Sequence, residues 1–107
     1  MDEKLRIILT ELRRRLQALY GSRLKHLILY GSQARGDAEP GSDIDVLVVL
    51  AGRINPGKEI ERVGAITAEI SLHHDIVISC VFVSTKRYND EHSPLLLNAH
   101  REGMTVV

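Results

Sequence analysis

Asp43 and Asp45, two aspartates separated by one residue, are the side chains of this sequence best placed to do chemistry. They precede the apolar run Val46–Leu50, which is typical of a buried β-strand. Because side chains at i and i+2 of a strand point to the same face, the two carboxylates are expected side by side. Such neighbours repel each other unless a cation lies between them, and carboxylate oxygens suit Mg²⁺. The pair therefore predicts a divalent-cation site at the start of a strand.

A glycine–serine pair, Gly31 and Ser32, lies ten residues before the aspartates and follows the apolar run 27–30. Glycine lets a ligand approach the backbone closely. A serine at the start of a helical turn presents a hydroxyl and free N–H groups to a phosphate, although it also suits a plain helix N-cap. A cation site facing a phosphate-binding turn indicates metal-assisted phosphoryl or nucleotidyl transfer.

The combined pattern resembles the signature of the DNA polymerase β-like nucleotidyltransferase superfamily: Gly-Ser, ten residues, Asp-x-Asp, with residues 34–36 (Ala-Arg-Gly) after the serine. The small size makes the chain most similar to the minimal nucleotidyltransferases, commonly the MntA-type antitoxins of HEPN–MNT toxin–antitoxin pairs. The resemblance covers nearly the whole chain. It implies one nucleotidyltransferase domain over residues 1–107, an α/β (α+β) fold with a small mixed β-sheet flanked by helices.

The same resemblance implies an activity. The chain would use ATP and two Mg²⁺ ions to transfer AMP to a tyrosine of a cognate HEPN ribonuclease toxin, and modification, binding or both would neutralise that toxin. Two alternatives remain: an aminoglycoside-like small-molecule adenylyltransferase, and a non-catalytic nucleotide- or protein-binding antitoxin module. The former generally carries a further helical domain, for which 107 residues leave no room unless dimerisation supplies it.

A third carboxylate is expected on a neighbouring strand, and Asp75 is the candidate because it precedes the β-branched run 76–83. The resemblance implies that Asp43, Asp45 and Asp75 are the catalytic metal ligands, with Asp75 on the ion that activates the attacking hydroxyl. The alternative is that Asp75 is merely a charge at a helix end or strand edge.

Four further residues are predicted to bind the nucleotide, and of these only the role of Arg35 is drawn from the resemblance. Gly31–Ser32 would hold the β- and γ-phosphates. Arg35 would contact the triphosphate or support the fold, and an exposed ion pair with Asp37 or Asp43 is an equal alternative. Ser42 would hydrogen-bond the carboxylates from the position directly before them.

Composition narrows the class of protein. Fourteen basic and fourteen acidic residues give no net charge, which argues against a nucleic-acid template. A single cysteine, Cys80, excludes an internal disulfide, and no apolar run approaches the length of a membrane span. We therefore expect a cytoplasmic domain. Its partners, a nucleoside triphosphate and a HEPN-domain protein, are what the resemblance implies.

Periodicity predicts the elements that position these residues. Helices are predicted over 2–20 and 58–73, and a last helix from an N-cap at Ser93 to its end at Gly103. A single helical turn is predicted over 32–36. Strands are predicted over 24–30, 43–50 and 75–83, with a short last strand over 104–107. The apolar stripe of the first helix comprises Leu5, Ile8, Leu9, Leu12, Leu16 and Leu19; that of the third comprises Ile60, Val63, Ile66 and Ile70.

Overall fold

The computed structural model describes residues 2–106, and its elements follow the predicted order with one further helix, Thr85–Asp90, that was not predicted. The helices are α1 Glu3–Tyr20, α2 Ser32–Arg35, α3 Pro56–His74, α4 Thr85–Asp90 and α5 Pro94–Glu102. The strands are β1 Leu24–Tyr30, β2 Ile44–Leu50, β3 Ile78–Ser84 and β4 Met104–Thr105. Val107, the last residue of the predicted final strand, lies outside the described residues.

The strands form one mixed sheet in the order β3-β2-β1-β4. β1 pairs antiparallel with β2 and with β4, whereas β2 and β3 run parallel and are connected through α3. Helices cover both faces of this sheet, so the predicted architecture, a small mixed sheet flanked by helices, is confirmed.

Alternation along β2 divides the core into two layers. Ile44, Val46 and Val48 pack with α1 and α3, while Leu47 and Val49 pack with α5 on the opposite face. Since all five are fully buried, β2 is the central strand of the core. The face on which a β2 side chain lies is therefore fixed by its position in the sequence.

Side chains cap the starts of α1 and α5, and of these two caps only Ser93 was predicted. Asp2 accepts a hydrogen bond from the Lys4 N–H (3.1 Å), and Ser93 accepts one from Leu96 N–H (3.4 Å). Gly103 ends α5 where a Cβ would collide with the Ala99 carbonyl oxygen and the Ile28 side chain. No helix among residues 2–106 is both long and apolar enough to cross a membrane.

In each of the two predicted apolar stripes, one end residue is exposed and the residue next to it in the sequence is buried instead. Tyr20 is buried and Leu19 is 43% exposed; likewise Glu59 is buried and Ile60 is 59% exposed. The two unexpected residues meet, because the Tyr20 hydroxyl donates to Glu59 Oε1 at 2.8 Å. This hydrogen bond satisfies a buried carboxylate and fixes α1 against α3.

Candidate functional site

The turn at Gly31 brings the end of β1 against the start of β2. Gly31 has φ 75° and ψ −157°, a conformation that side chains rarely allow. A Cβ built there would lie 2.8 Å from Asp45 Oδ2. The backbone of the predicted phosphate-binding turn therefore contacts the carboxylate of the predicted cation site.

Asp43 and Asp45 flank Ile44, which is fully buried on the opposite face of β2. Asp45 is half-buried beside Tyr30 in the β1–β2 register, and Asp43 is exposed directly before the strand. Burial, and then repulsion from Asp43, raise the pKa of the Asp45 carboxyl above its ordinary value. Two carboxylates that interact in this way are favourable partners for a cation.

The short helix α2 starts without a side-chain cap. Gly31 is its N-cap residue and Ser32 its first helical residue, so Ser32 is not the plain N-cap that the alternative interpretation supposed. The Gly31 carbonyl accepts from the N–H groups of Ala34 and Arg35 at 3.1 Å each. The N–H groups of Ser32 and Gln33 come earlier in the turn and have no intrahelical acceptor, as is usual at a helix start.

Arg35 forms two ion pairs, neither of them with the aspartate pair. Its guanidinium lies 3.2 Å from Asp37 Oδ2 and 3.3 Å from Glu102 Oε2 on α5. These carboxylates hold the pKa of Arg35 above its usual range, with the hydrogen bond to Asp37 as the largest cause. The ion-pair alternative for Arg35 is the arrangement observed, with Glu102 as an additional partner.

The loop before Asp43 is held by hydrogen bonds that the sequence did not indicate. The Ser42 hydroxyl accepts from the Glu39 N–H at 2.9 Å, within the loop, rather than reaching the carboxylates. The Gln33 side chain donates to the Ser42 carbonyl at 3.1 Å. Gln33 thus connects α2 to the backbone directly before Asp43, a role that no sequence pattern indicates.

Asp75 does not open a strand, so that prediction is wrong. It is the C-cap residue of α3 in the left-handed conformation (φ 52°, ψ 52°), and β3 begins only at Ile78. Its side chain is exposed. Across residues 2–106, no group of three or more His, Cys, Asp or Glu side chains is close enough to hold a metal ion. The structure thus brings Asp43 and Asp45 together but does not add Asp75 to them.

The donors present fit one Mg²⁺ ion that arrives with a nucleotide. Mg²⁺ is commonly bound by one or two carboxylates together with phosphate oxygens and waters. Asp43 and Asp45 supply two carboxylates, and the uncapped turn beside Asp45 suits the phosphates. A cation held by three carboxylates does not fit this arrangement.

Comparison with known proteins gives consistent matches. Residues 8–96 match the family described as "Nucleotidyltransferase domain". A relative from Methanocaldococcus jannaschii, named as a candidate protein adenylyltransferase, is 36% identical over 72 residues, which cover 67% of this chain and 72% of the relative.

Two toxin–antitoxin structures share the fold. One, determined with AMP-PNP, has a TM-score of 0.64 at 18% identity and covers 99% of this chain and 73% of that chain. The other, a tri-AMPylated HEPN toxin of Shewanella oneidensis in complex with an MNT antitoxin, has a TM-score of 0.53 at 14% identity, covering 94% and 71%. At these identities the likeness establishes the fold.

Proposed function

Because this chain belongs to the nucleotidyltransferase domain family, we propose that it transfers AMP from ATP to a tyrosine of a cognate HEPN ribonuclease toxin in a Mg²⁺-dependent reaction. It thereby acts as the antitoxin of that toxin. Family membership confirms the prediction that the chain is a nucleotidyltransferase. The acceptor, the metal and the antitoxin role are the content of the proposal.

The contact between Gly31 and Asp45 carries this proposal. It places a backbone turn suited to phosphates directly against a carboxylate suited to Mg²⁺, within one short connection of the sheet. A nucleoside triphosphate with its cation offers phosphates to the turn and Mg²⁺ to the carboxylate within one ligand. The site therefore fits Mg·ATP better than a free metal or a free phosphate.

Protein as the acceptor is supported by the relative from M. jannaschii, whose name is that of a protein adenylyltransferase. The fold neighbours support both the nucleotide and the toxin, since one was determined with AMP-PNP and another contains an AMPylated HEPN toxin. A small-molecule adenylyltransferase has no comparable support among these proteins.

In the proposed reaction, Gly31 and Ser32 hold the β- and γ-phosphates, and Asp43 and Asp45 would hold the Mg²⁺ ion. Bound Mg²⁺ would neutralise charge on the phosphate oxygens. The acceptor oxygen forms a bond to the α-phosphorus, the bond to the bridging oxygen breaks, and pyrophosphate leaves. The hydroxyl proton passes to solvent. Reactions of this kind depend mainly on positioning and charge stabilisation.

The test is transfer of label from α-labelled ATP to the co-purified HEPN partner, with intact-mass spectra of both proteins. We expect a mass gain of one or more AMP units on the partner with wild type. The Asp43→Asn/Asp45→Asn variant should show none, because the cation site is lost. Asp90→Asn is the matched control, since it removes an exposed carboxylate at the end of α4.

Three results would contradict the proposal. Label on a small molecule alone would favour the small-molecule adenylyltransferase. A stable complex without transfer would leave a binding antitoxin. Equal transfer by the double variant would remove Asp43 and Asp45 from the reaction.

A further inference from the structure

Asp45 is on β2, which lies between β1 and β3 in the sheet. The strand register identifies the residue beside it on each of these two strands. Tyr30 on β1 pairs with Asp45 on one side, and Ser79 on β3 pairs with it on the other. Laterally paired residues of a sheet point to the same face. The side chain on β3 that is nearest to the cation site is therefore the hydroxyl of Ser79, not a carboxylate.

The rest of β3 does not supply an acid to this face either. Alternation places Val81 and Val83 on the same face as Ser79, where both pack with the α5 layer. Val77, which comes just before the strand, is uncharged and 56% exposed. Asp75 has the same parity, but its left-handed backbone interrupts the alternation before β3 begins.

We infer that this chain binds a single divalent cation per nucleotide, through Asp43 and Asp45, and that Ser79 occupies the place where a third carboxylate would be needed. This inference rests on the proposed function and refines its metal site. It replaces the expectation of two ions with Asp75 as a ligand. Among residues 2–106, no third carboxylate then joins Asp43 and Asp45 to hold a second ion beside the acceptor hydroxyl.

The test counts Mn²⁺ bound per chain by electron paramagnetic resonance, with one equivalent of the non-hydrolysable analogue α,β-methylene-ATP. We expect one Mn²⁺ for wild type and an unchanged affinity for Asp75→Asn. Asp45→Asn should weaken Mn²⁺ binding by about tenfold or more, since even outer partners of metal sites contribute about 10–100-fold. Asp90→Asn again controls for loss of one surface carboxylate.

A converse variant tests the place assigned to Ser79. Ser79→Asp puts a carboxylate beside Asp45 and should raise the count to two Mn²⁺ per chain. A folded Ser79→Asp protein that still holds one would overturn the assignment of Ser79.

The wild-type count separates this inference from the proposed function. Two Mn²⁺ in wild type, with one lost in Asp75→Asn, would overturn the inference and leave the proposed function intact. No bound Mn²⁺ in wild type would overturn both.

Discussion

Gly31 combines an unusual backbone conformation with close approach to a predicted metal-binding carboxylate. Its conformation is one that only glycine adopts readily, and a Cβ would come within 2.8 Å of Asp45 Oδ2. A methyl group at this position must therefore displace either the backbone of the turn or the Asp45 side chain.

Gly31→Ala is expected to lower the free energy of unfolding by about 1–3 kcal/mol, the usual cost of such a conformation for a non-glycine residue. It should also weaken Mg·ATP binding, because Asp45 is pushed aside. Chemical denaturation and calorimetric titration with Mg·ATP measure the two effects.

Gly36→Ala is the matched control, since Gly36 also has a positive φ (79°) but nothing lies within 4 Å of its Cβ position. It should lose stability and keep its affinity for Mg·ATP. Equal loss of affinity in both variants would mean that the contact with Asp45 has no special role.

Connections between elements explain which predictions were accurate and which failed. β1 was predicted with its observed bounds, because an apolar run between Gly21 and Gly31 is a local signal. The start of β3 was misplaced by three residues, because Asp75 ends α3 in a left-handed conformation without the glycine that usually marks such an end. Aspartate tolerates this conformation, so the sequence looked like the start of a strand.

The buried pair of Tyr20 and Glu59 shows a second limit of sequence reasoning. Helical periodicity assigns apolar residues to the core, so it does not predict that a glutamate is buried there. In the buried position Glu59 accepts from a hydroxyl on another helix, 39 residues away, and Arg62 lies 3.6 Å from the same oxygen. A partner at that separation is not visible in either helix considered alone. The aspartate pair and the glycine–serine turn were recognisable because all their parts lie within one short segment.

The connection between α2 and α5 also clarifies Arg35, for which the sequence left two roles open. Arg35 joins Asp37 in its own turn to Glu102 at the end of α5. We expect this side chain to stabilise the position of α2 rather than to contact the triphosphate. Both ion pairs are exposed to solvent, so each contributes little to stability.

Arg35→Ala and Glu102→Gln are therefore expected to reduce stability by similar small amounts. Both should leave the dissociation constant of Mg·ATP unchanged within measurement error. Thermal unfolding and calorimetric titration of the two variants side by side make the comparison. Markedly weaker nucleotide binding in Arg35→Ala, with normal binding in Glu102→Gln, would assign Arg35 to the triphosphate.

At the scale of the whole molecule, the site opposes folding when no ligand is bound. The pKa of Asp45 is raised in the folded protein, first by burial and then by Asp43. A folded state with a raised carboxyl pKa binds the proton more tightly than the unfolded state does. Stability therefore falls as pH rises through the interval between the ordinary aspartate value of about 3.9 and the raised one. Above that interval the full cost is present.

Asp45→Asn removes this cost, so we expect the ligand-free variant to be more stable than wild type at pH 7. The gain should shrink as the pH falls and disappear below about pH 4, where both states of the wild-type carboxyl are protonated. Mg·ATP should reverse the order at neutral pH, because a ligand that binds only the folded wild type adds RT ln(1 + [L]/Kd) to its stability. Denaturation curves across pH, with and without Mg·ATP, measure both effects, and Asp90→Asn should show neither. An Asp45→Asn variant less stable than wild type at pH 7 without ligand would show that the carboxylate has a structural role. In that case the ionised Asp45 would stabilise the ligand-free fold instead of destabilising it.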